Sequence, residues 1–241
     1  MKRIIVAVDG PAGTGKSSVS RQAALEMGLR YIDSGAVYRS ITWYVLQRDK
    51  KMNGEFRFTN DIAELTIEQE FLRDGCCKTF VNKIEVSDFI RDETITKNIG
   101  ILSDNRDVRD FVNRLLRRWS REGSVIMDGR DIASVVFPHA DVKIYLDASI
   151  ETRTQRRMKE YREMGKNVDE NVVKKEIIQR DEQDRNRPFG ALIRSDDAVY
   201  VDTSLLSREE AVERMKEIIQ RTVSPIDSGL CRMRPYGQRY P

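Results

Sequence analysis

The chain has 241 residues, 39% hydrophobic and 34% charged, which fits one large or two small charge-rich globular domains. Lys and Arg number 42 against 39 Asp and Glu, and a formal charge of +3 gives no ground for a nucleic-acid partner. Three cysteines (Cys76, Cys77, Cys231) and one histidine (His139) show no metal-ligand spacing, which speaks against a structural zinc site.

In chain order, residues 3–8 form a short β-branched run that reads as a buried strand. Gly10, Pro11, Ala12, Gly13, Thr14, Gly15, Lys16 and Ser17 follow it and fit the pattern Gly-x-x-x-x-Gly-Lys-Ser/Thr. Residues 15–27 then show helical spacing. Strand, glycine loop and helix in that order mark a phosphate-binding loop. Its glycines let backbone N–H groups turn inward around a phosphate, and the helix N-terminus adds positive potential. Lys16 can reach the terminal phosphates, and the Ser17 hydroxyl is the expected ligand for Mg²⁺. A nucleoside triphosphate is therefore expected along the run from Gly10 to Ser18.

Four further runs read as parallel strands: 30–32, 124–127, 142–146 and 198–201. With the first they end at or beside Asp9, Asp33, Asp128, Asp147 and Asp202, and helical patterns separate them. The expected fold is α/β, a five-stranded parallel sheet at whose carboxyl edge ligands gather. Two segments break the alternation. Within 53–95, residues 71–75 and 78–86 read as short antiparallel strands with turns at Asp74-Gly75 and Asn82-Lys83. Residues 150–190 read as two charge-dense helices joined near Gly165, either a mobile lid or a plain solvated hairpin. The last helix starts at Ser207, where Ser207 and Glu210 have capping-box spacing. The tail from Thr222 carries three of the six prolines, has no periodicity and is expected to be flexible.

A second anion site is readable after strand 2. Ser34 and Gly35 stand at a helix start with Arg39 one turn on, which also reads as an ordinary N-cap and a surface arginine. Asp128 ends a buried strand, a place suited to Mg²⁺, with Arg130 and Asp131 beside it. Arg180, Asp184 and Arg187 share helical spacing, as do Arg153, Arg156 and Arg157 on the preceding helix. Facing arginines would repel without an anion between them, and a polyphosphate is the natural one. A phosphate loop, a second anion site and an arginine lid suit phosphoryl transfer to an acceptor that itself carries a phosphate.

These motifs resemble the bacterial cytidylate kinases of the nucleoside monophosphate kinase group. The resemblance rests on residues 8–17, 33–39, 128–131 with 135–138, 143–149 and 180–187, in family order, and spans about residues 3–220. It implies transfer from ATP to CMP or dCMP, with Mg²⁺, in a monomer. It implies a catalytic set of Lys16, Asp128, Arg130 and Arg187. Ser34, Arg39 and Arg130 would hold the acceptor phosphate, and Tyr38 would line that pocket. Arg109 and Asp131 would read the cytosine edge, Arg180 and Asp184 would contact the ribose, and Arg187 would bridge toward the transferring phosphate. Arg153 and Arg157 match lid positions near ATP. An acceptor-binding region at about 36–105 and a lid at about 150–190 would sit within a domain of residues 1–222, followed by a tail at 223–241. Family members often carry a serine nine residues before the base-reading arginine; here that place is Gly100, and Ser103 lies one turn later. UMP or another small phosphorylated acceptor is the alternative this substitution opens. A catalytically silent nucleotide- or nucleic-acid-binding protein is the alternative of another class.

Adjacent Cys76 and Cys77 cannot staple a fold, which fits a reducing compartment. No apolar run reaches membrane-spanning length, and the chain enters its first strand with no room for a signal peptide. A cytoplasmic protein with no membrane partner is expected.

Overall fold

Strand β1 (Ile5–Asp9) lies at the centre of the main sheet, with β6 (Val125–Asp128) on one side and β7 (Val142–Asp147) on the other. The edges are β2 (Arg30–Asp33) beside β6 and β8 (Val199–Asp202) beside β7, and every pairing is parallel. The computed structural model describes residues 3–48, 62 and 65–223.

Val6, Ala7, Val8, Ile126, Met127, Ile144 and Leu146 have no exposed surface. Such continuous apolar strands are what a sheet covered on both faces requires. Val6, Val8, Ile126 and Ile144 pack with α1 (Lys16–Met27) and α7 (Arg208–Val223). Ala7, Ile32 and Met127 pack on the opposite side with α2 (Ser34–Arg48) and α4 (Arg106–Trp119). The register sets Asp33 beside Asp128 and Asp147 beside Asp202, so the acidic residues share one edge of the sheet. The five-stranded parallel sheet and its aspartate edge are as the sequence predicts.

The small insertion is a three-stranded antiparallel sheet of β3 (Ile67–Phe71), β4 (Cys77–Val81) and β5 (Ile84–Glu85). The strand expected at 71–75 lies upstream: it ends at Phe71, and Leu72–Gly75 form the turn, closed by Gly75 N donating to Leu72 O at 2.9 Å. The run at 78–86 is divided by Asn82 and Lys83, whose φ angles of 48° and 70° make the mirror-image turn that right-twisted hairpins favour. The upstream part of the insertion at 53–61 and 63–64, and the tail from residue 224, lie outside the described residues.

Helix α3 (Glu93–Ser103) leads into α4, and α5 (Ile150–Glu163) is followed by α6 (Glu170–Arg185). The last two are not packed by charge alone: Met158, Val173 and Ile177 are buried between them, with Ile150, Tyr161 and Val168 at the margin. Ser207 caps α7 as its spacing predicts: its N–H donates to Glu210 Oε2 at 2.8 Å, and Glu210 N–H donates to Ser207 Oγ at 3.1 Å. No helix among the described residues is long and apolar enough to cross a membrane.

Ile144→Ala should lower unfolding free energy by about 2–5 kcal/mol, since the cavity opens between covered sheet faces. Ser207→Ala should lower it by about 1 kcal/mol. Urea denaturation of both variants measures the contrast.

Candidate active site

The phosphate loop exists because β1 ends against β7. A Cβ at Gly10 would overlap the carbonyl oxygen of Leu146, and Gly10 has φ 148°. Gly15, at φ 88°, turns the chain into α1. Lys16 is buried, and its Nζ donates to Pro11 O and, at 3.3 Å, to Thr14 Oγ1. Thr14 Oγ1 donates to Pro11 O at 3.2 Å, and Ser18 Oγ to Gly15 O at 2.9 Å. Burial, with Arg130 nearby, lowers the Lys16 pKa.

Four aspartates organise the strand ends. Asp128 accepts from Ser17 Oγ and from Tyr31 OH, each at 2.7 Å. Burial and the neighbouring Asp33 raise its pKa. Asp33 caps α2 by accepting from Ala36 N at 2.7 Å, and accepts from Arg39 Nη2 at 3.0 Å. The N-cap read at Ser34 therefore falls to Asp33, while Ser34 Oγ donates to Asp128 O at 2.6 Å. Asp9 accepts from Ile132 N at 2.9 Å and Ala133 N at 2.7 Å. Burial pushes its pKa up to about 7, against the pull of those two donors. Asp9 thereby ties the start of the phosphate loop to the backbone just after Asp131. Residues 132–136 form a single wide turn, in which Phe137 N donates to Ile132 O at 2.7 Å. The fourth is Asp131 itself, whose carboxyl burial raises although Arg109 opposes it.

Asp184 has no exposed surface and lies among three arginines. Arg130 Nε stands 2.7 Å from Oδ2, Arg187 Nη2 2.6 Å from Oδ1 and Arg180 Nε 3.4 Å from Oδ1. Desolvation would raise its pKa, yet Arg130, Arg187 and Arg180 hold it below the usual value. Arg187 lies beyond the end of α6, so the shared helical face read for residues 180, 184 and 187 is partly loop. Its Nε also meets Asp104 Oδ1 at 2.9 Å. Arg39 Nε is buried with no hydrogen-bond partner. One buried carboxylate against three guanidiniums leaves excess positive charge where an anion would be stabilised.

Arg109 and Asp131 form a buried ion pair. Arg109 Nη1 also donates to Ser103 O at 3.0 Å, and its guanidinium lies 5.6 Å from the Tyr38 ring centroid. The Tyr38 hydroxyl is buried without a partner. Ser103 Oγ donates to Gly100 O at 3.1 Å, and a Cβ at Gly100 would meet nothing within 4 Å.

The helical hairpin touches the phosphate loop through Arg153 and Arg156. Arg153 Nη1 donates to Ala12 O at 3.2 Å and pairs with Asp181 Oδ2 at 2.5 Å. Arg156 Nη1 donates to Thr14 O at 3.1 Å. Arg157 instead pairs with Glu160 at 2.7 Å and lies over the Tyr161 ring. The expected repulsion between facing arginines is corrected here: Asp181, on α6, neutralises Arg153. The sequence marks Asp9 only as a strand end and Arg156 only by its helical spacing with Arg153 and Arg157, and it does not mark the roles of Tyr31 or Asp181.

Asp181→Ala should lower stability by about 3–5 kcal/mol because Arg153 is left charged and buried, whereas Arg153→Met with Asp181→Leu should be near neutral. Thermal or urea unfolding of the single and double variants tests this.

The cytidylate kinase family profile matches residues 6–221. A cytidylate kinase of Geobacter sulfurreducens is 39% identical over 218 residues, covering 90% of this chain and 93% of the relative. A cytidylate kinase of Bacillus subtilis is 36% identical over 220 residues, covering 91% and 98%. A bifunctional pantoate ligase/cytidylate kinase of Trichodesmium erythraeum is 35% identical over 222 residues, which is 92% of this chain and 42% of that protein. With the profile spanning both the phosphate loop and the arginine-ringed carboxylate, the chain belongs to the cytidylate kinase family.

Proposed function

We propose that the chain transfers the γ-phosphoryl group of ATP to CMP, and to dCMP, by in-line displacement. The observation that carries this reading is the cluster of Arg130, Arg180 and Arg187 around Asp184, joined to the phosphate loop through Asp128, which lies two residues before Arg130 and accepts from Ser17 at 2.7 Å. Two sites for phosphate thus adjoin, as transfer between two bound nucleotides demands.

The residues from Gly10 to Ser18 cradle the phosphates of ATP, and Lys16 leaves Pro11 O to bind them. Ser17 and Asp128 fit Mg²⁺: their oxygens already meet at 2.7 Å. No cluster of three or more His, Cys, Asp or Glu side chains among the described residues could hold a metal alone. Ser17 and Asp128 would therefore supply only part of the oxygen ligation that Mg²⁺ favours. When bound, the ion would supply charge neutralisation to the phosphates in transfer.

Ser34, Arg39 and Arg130 hold the CMP phosphate, and Tyr38 lines its pocket. Arg109 and Asp131 read the base, Arg180 and Asp184 the ribose. Arg187 reaches toward the phosphoryl group in flight, where its charge counts most. The nucleophile is the CMP phosphate oxygen, so no covalent enzyme intermediate forms. Residues 150–190 close as a lid that excludes water, with Arg153 and Arg157 approaching ATP; Arg157 must leave Glu160 to do so. Residues 36–105 form the acceptor-binding region, and residues 1–222 one kinase domain followed by a tail. The enzyme works as a monomer in the cytoplasm.

One observation favours a second reading, a base pocket relaxed toward UMP. The Ser103 hydroxyl is engaged by Gly100 O, and Gly100 offers no side chain. An ADP-release assay with CMP, dCMP, UMP, AMP, GMP and no acceptor decides between them. Turnover confined to CMP and dCMP supports the main reading, and comparable UMP turnover supports the second. Release without acceptor, or nucleic-acid binding with no transfer, overturns both.

Lys16→Ala should abolish turnover without unfolding the protein; surviving turnover would refute the role of the loop. Asp131→Ala should raise KM for CMP far more than for ATP, and equal losses would refute its contact with the base. Burial and Arg130 lower the Lys16 pKa in the free protein, and a polyphosphate opposes that shift. At mildly alkaline pH, ATP binding should therefore take up a proton. Calorimetry in buffers of different ionisation enthalpy measures this, and Lys16→Ala should remove it.

A further inference from the structure

Beyond α6 the chain runs as a strap across the Arg109–Asp131 pair. Gly190 is the point of contact. Its φ is 64°, and a Cβ there would overlap the Arg109 guanidinium and stand 2.5 Å from Asp131 Oδ2. The strap is held on both sides of that point. Before it, Phe189 lies under the Arg106 guanidinium, 5.5 Å from ring centroid to charge. After it, Leu192 N donates to Asp184 O at 2.7 Å, and the Leu192 side chain is buried against Tyr145 and Ala198. Arg109 and Asp131 are only 4% exposed each, so the strap covers the pair rather than passing near it.

We propose that Gly190 is a specificity-determining position, the backbone wall that holds Arg109 and Asp131 in the geometry that distinguishes a cytosine from a uracil. This rests on the reading of Arg109 and Asp131 as the base-contacting pair. The chemistry is direct. Cytosine presents an exocyclic amine, which an ionised carboxylate accepts; uracil presents a carbonyl, which it does not. Arg109 pairs with Asp131 and fixes its direction, and only a glycine lets the strap press Arg109 against it. Any side chain at 190 pushes Arg109 away, and the carboxylate loses both its orientation and its partner. The position acts through Arg109 and touches no reacting atom.

The test is steady-state kinetics of the full chain with CMP, UMP and ATP, for the wild type, Gly190→Ala and Phe189→Ala. Gly190→Ala should raise KM for CMP about tenfold and lower the preference for CMP over UMP by about tenfold. Its KM for ATP should stay within about twofold, a split that a general loss of structure would not give. Phe189→Ala loosens the strap without adding bulk and should shift the preference in the same direction by about threefold. Gly165→Ala places the same strain in open space, at φ 72°, and should retain the wild-type base preference. A folded Gly190→Ala with wild-type preference overturns the strap's role. If that variant does not fold, an unchanged preference in Phe189→Ala overturns it. A wild type that turns over CMP and UMP equally overturns the base-reading assignment and the strap's part in it together.

Discussion

The fully buried carboxylate of Asp184 is the constraint on which the site depends. Three guanidiniums cannot share a low-dielectric space unaided, since each carries a desolvation penalty and repels the others. Asp184 lies within ion-pairing distance of all three, and the arginines in turn keep it ionised. The balance is deliberately incomplete. Asp184, with Asp104 on Arg187, holds the cluster in shape and still leaves positive charge in excess, which the proposed function assigns to a phosphate. Because Arg130 follows β6 while Arg180 and Arg187 come from α6 and beyond, the same ion pairs fasten the helical hairpin to the sheet. The charge cluster and the position of the hairpin are thus one set of contacts.

The strand ends extend this economy. Asp9, Asp33 and Asp128 each use both carboxylate oxygens, and each joins two parts of the site. Asp128 connects the phosphate-loop serine to the hydroxyl of Tyr31. Asp33 fixes α2 and Arg39 together. Asp9 joins the donor loop to the turn that carries Asp131. The groups of the site are positioned by hydrogen bonds to carboxylates at the ends of buried strands, where packing leaves little freedom.

Much of this was legible in the sequence. The core strands are β-branched runs, and the glycine loop follows β1 directly, so both announce themselves locally. The hairpin turn at Asn82-Lys83 was readable from residue type. The first insertion strand was misplaced because Phe71-Leu72 is its strongest apolar signal, whereas the paired stretch begins at Ile67 with polar alternation. Asp181 was invisible because its partner lies on another helix, and nothing in α6 marks one of many acidic residues as buried. Which of Arg156 and Arg157 meets the loop depends on the rotation of α5, fixed by Met158 packing on Val173 and Ile177. Helical spacing cannot supply that phase. Gly190 reads as an ordinary loop glycine until its distance to Arg109 is known.

The Arg153–Asp181 pair bears on the lid motion proposed for the hairpin. Had the arginines been unpaired, an incoming polyphosphate would simply have relieved their repulsion. Arg153 is instead satisfied already, by Asp181, Ala148 O and the loop carbonyl of Ala12. In the proposed function, ATP would therefore have to offer it more than a carboxylate and two carbonyls do. A triphosphate with several charged oxygens can, whereas a single phosphate competes poorly with the charge-assisted contact to Asp181 and the two carbonyl bonds already made. Lys16 stands in the same position, engaged by Pro11 O and Thr14 until a stronger acceptor arrives. On the proposed function, preoccupied cations of this kind would make the site respond to high charge density rather than to any passing anion, the discrimination needed between ATP and other phosphate-bearing molecules.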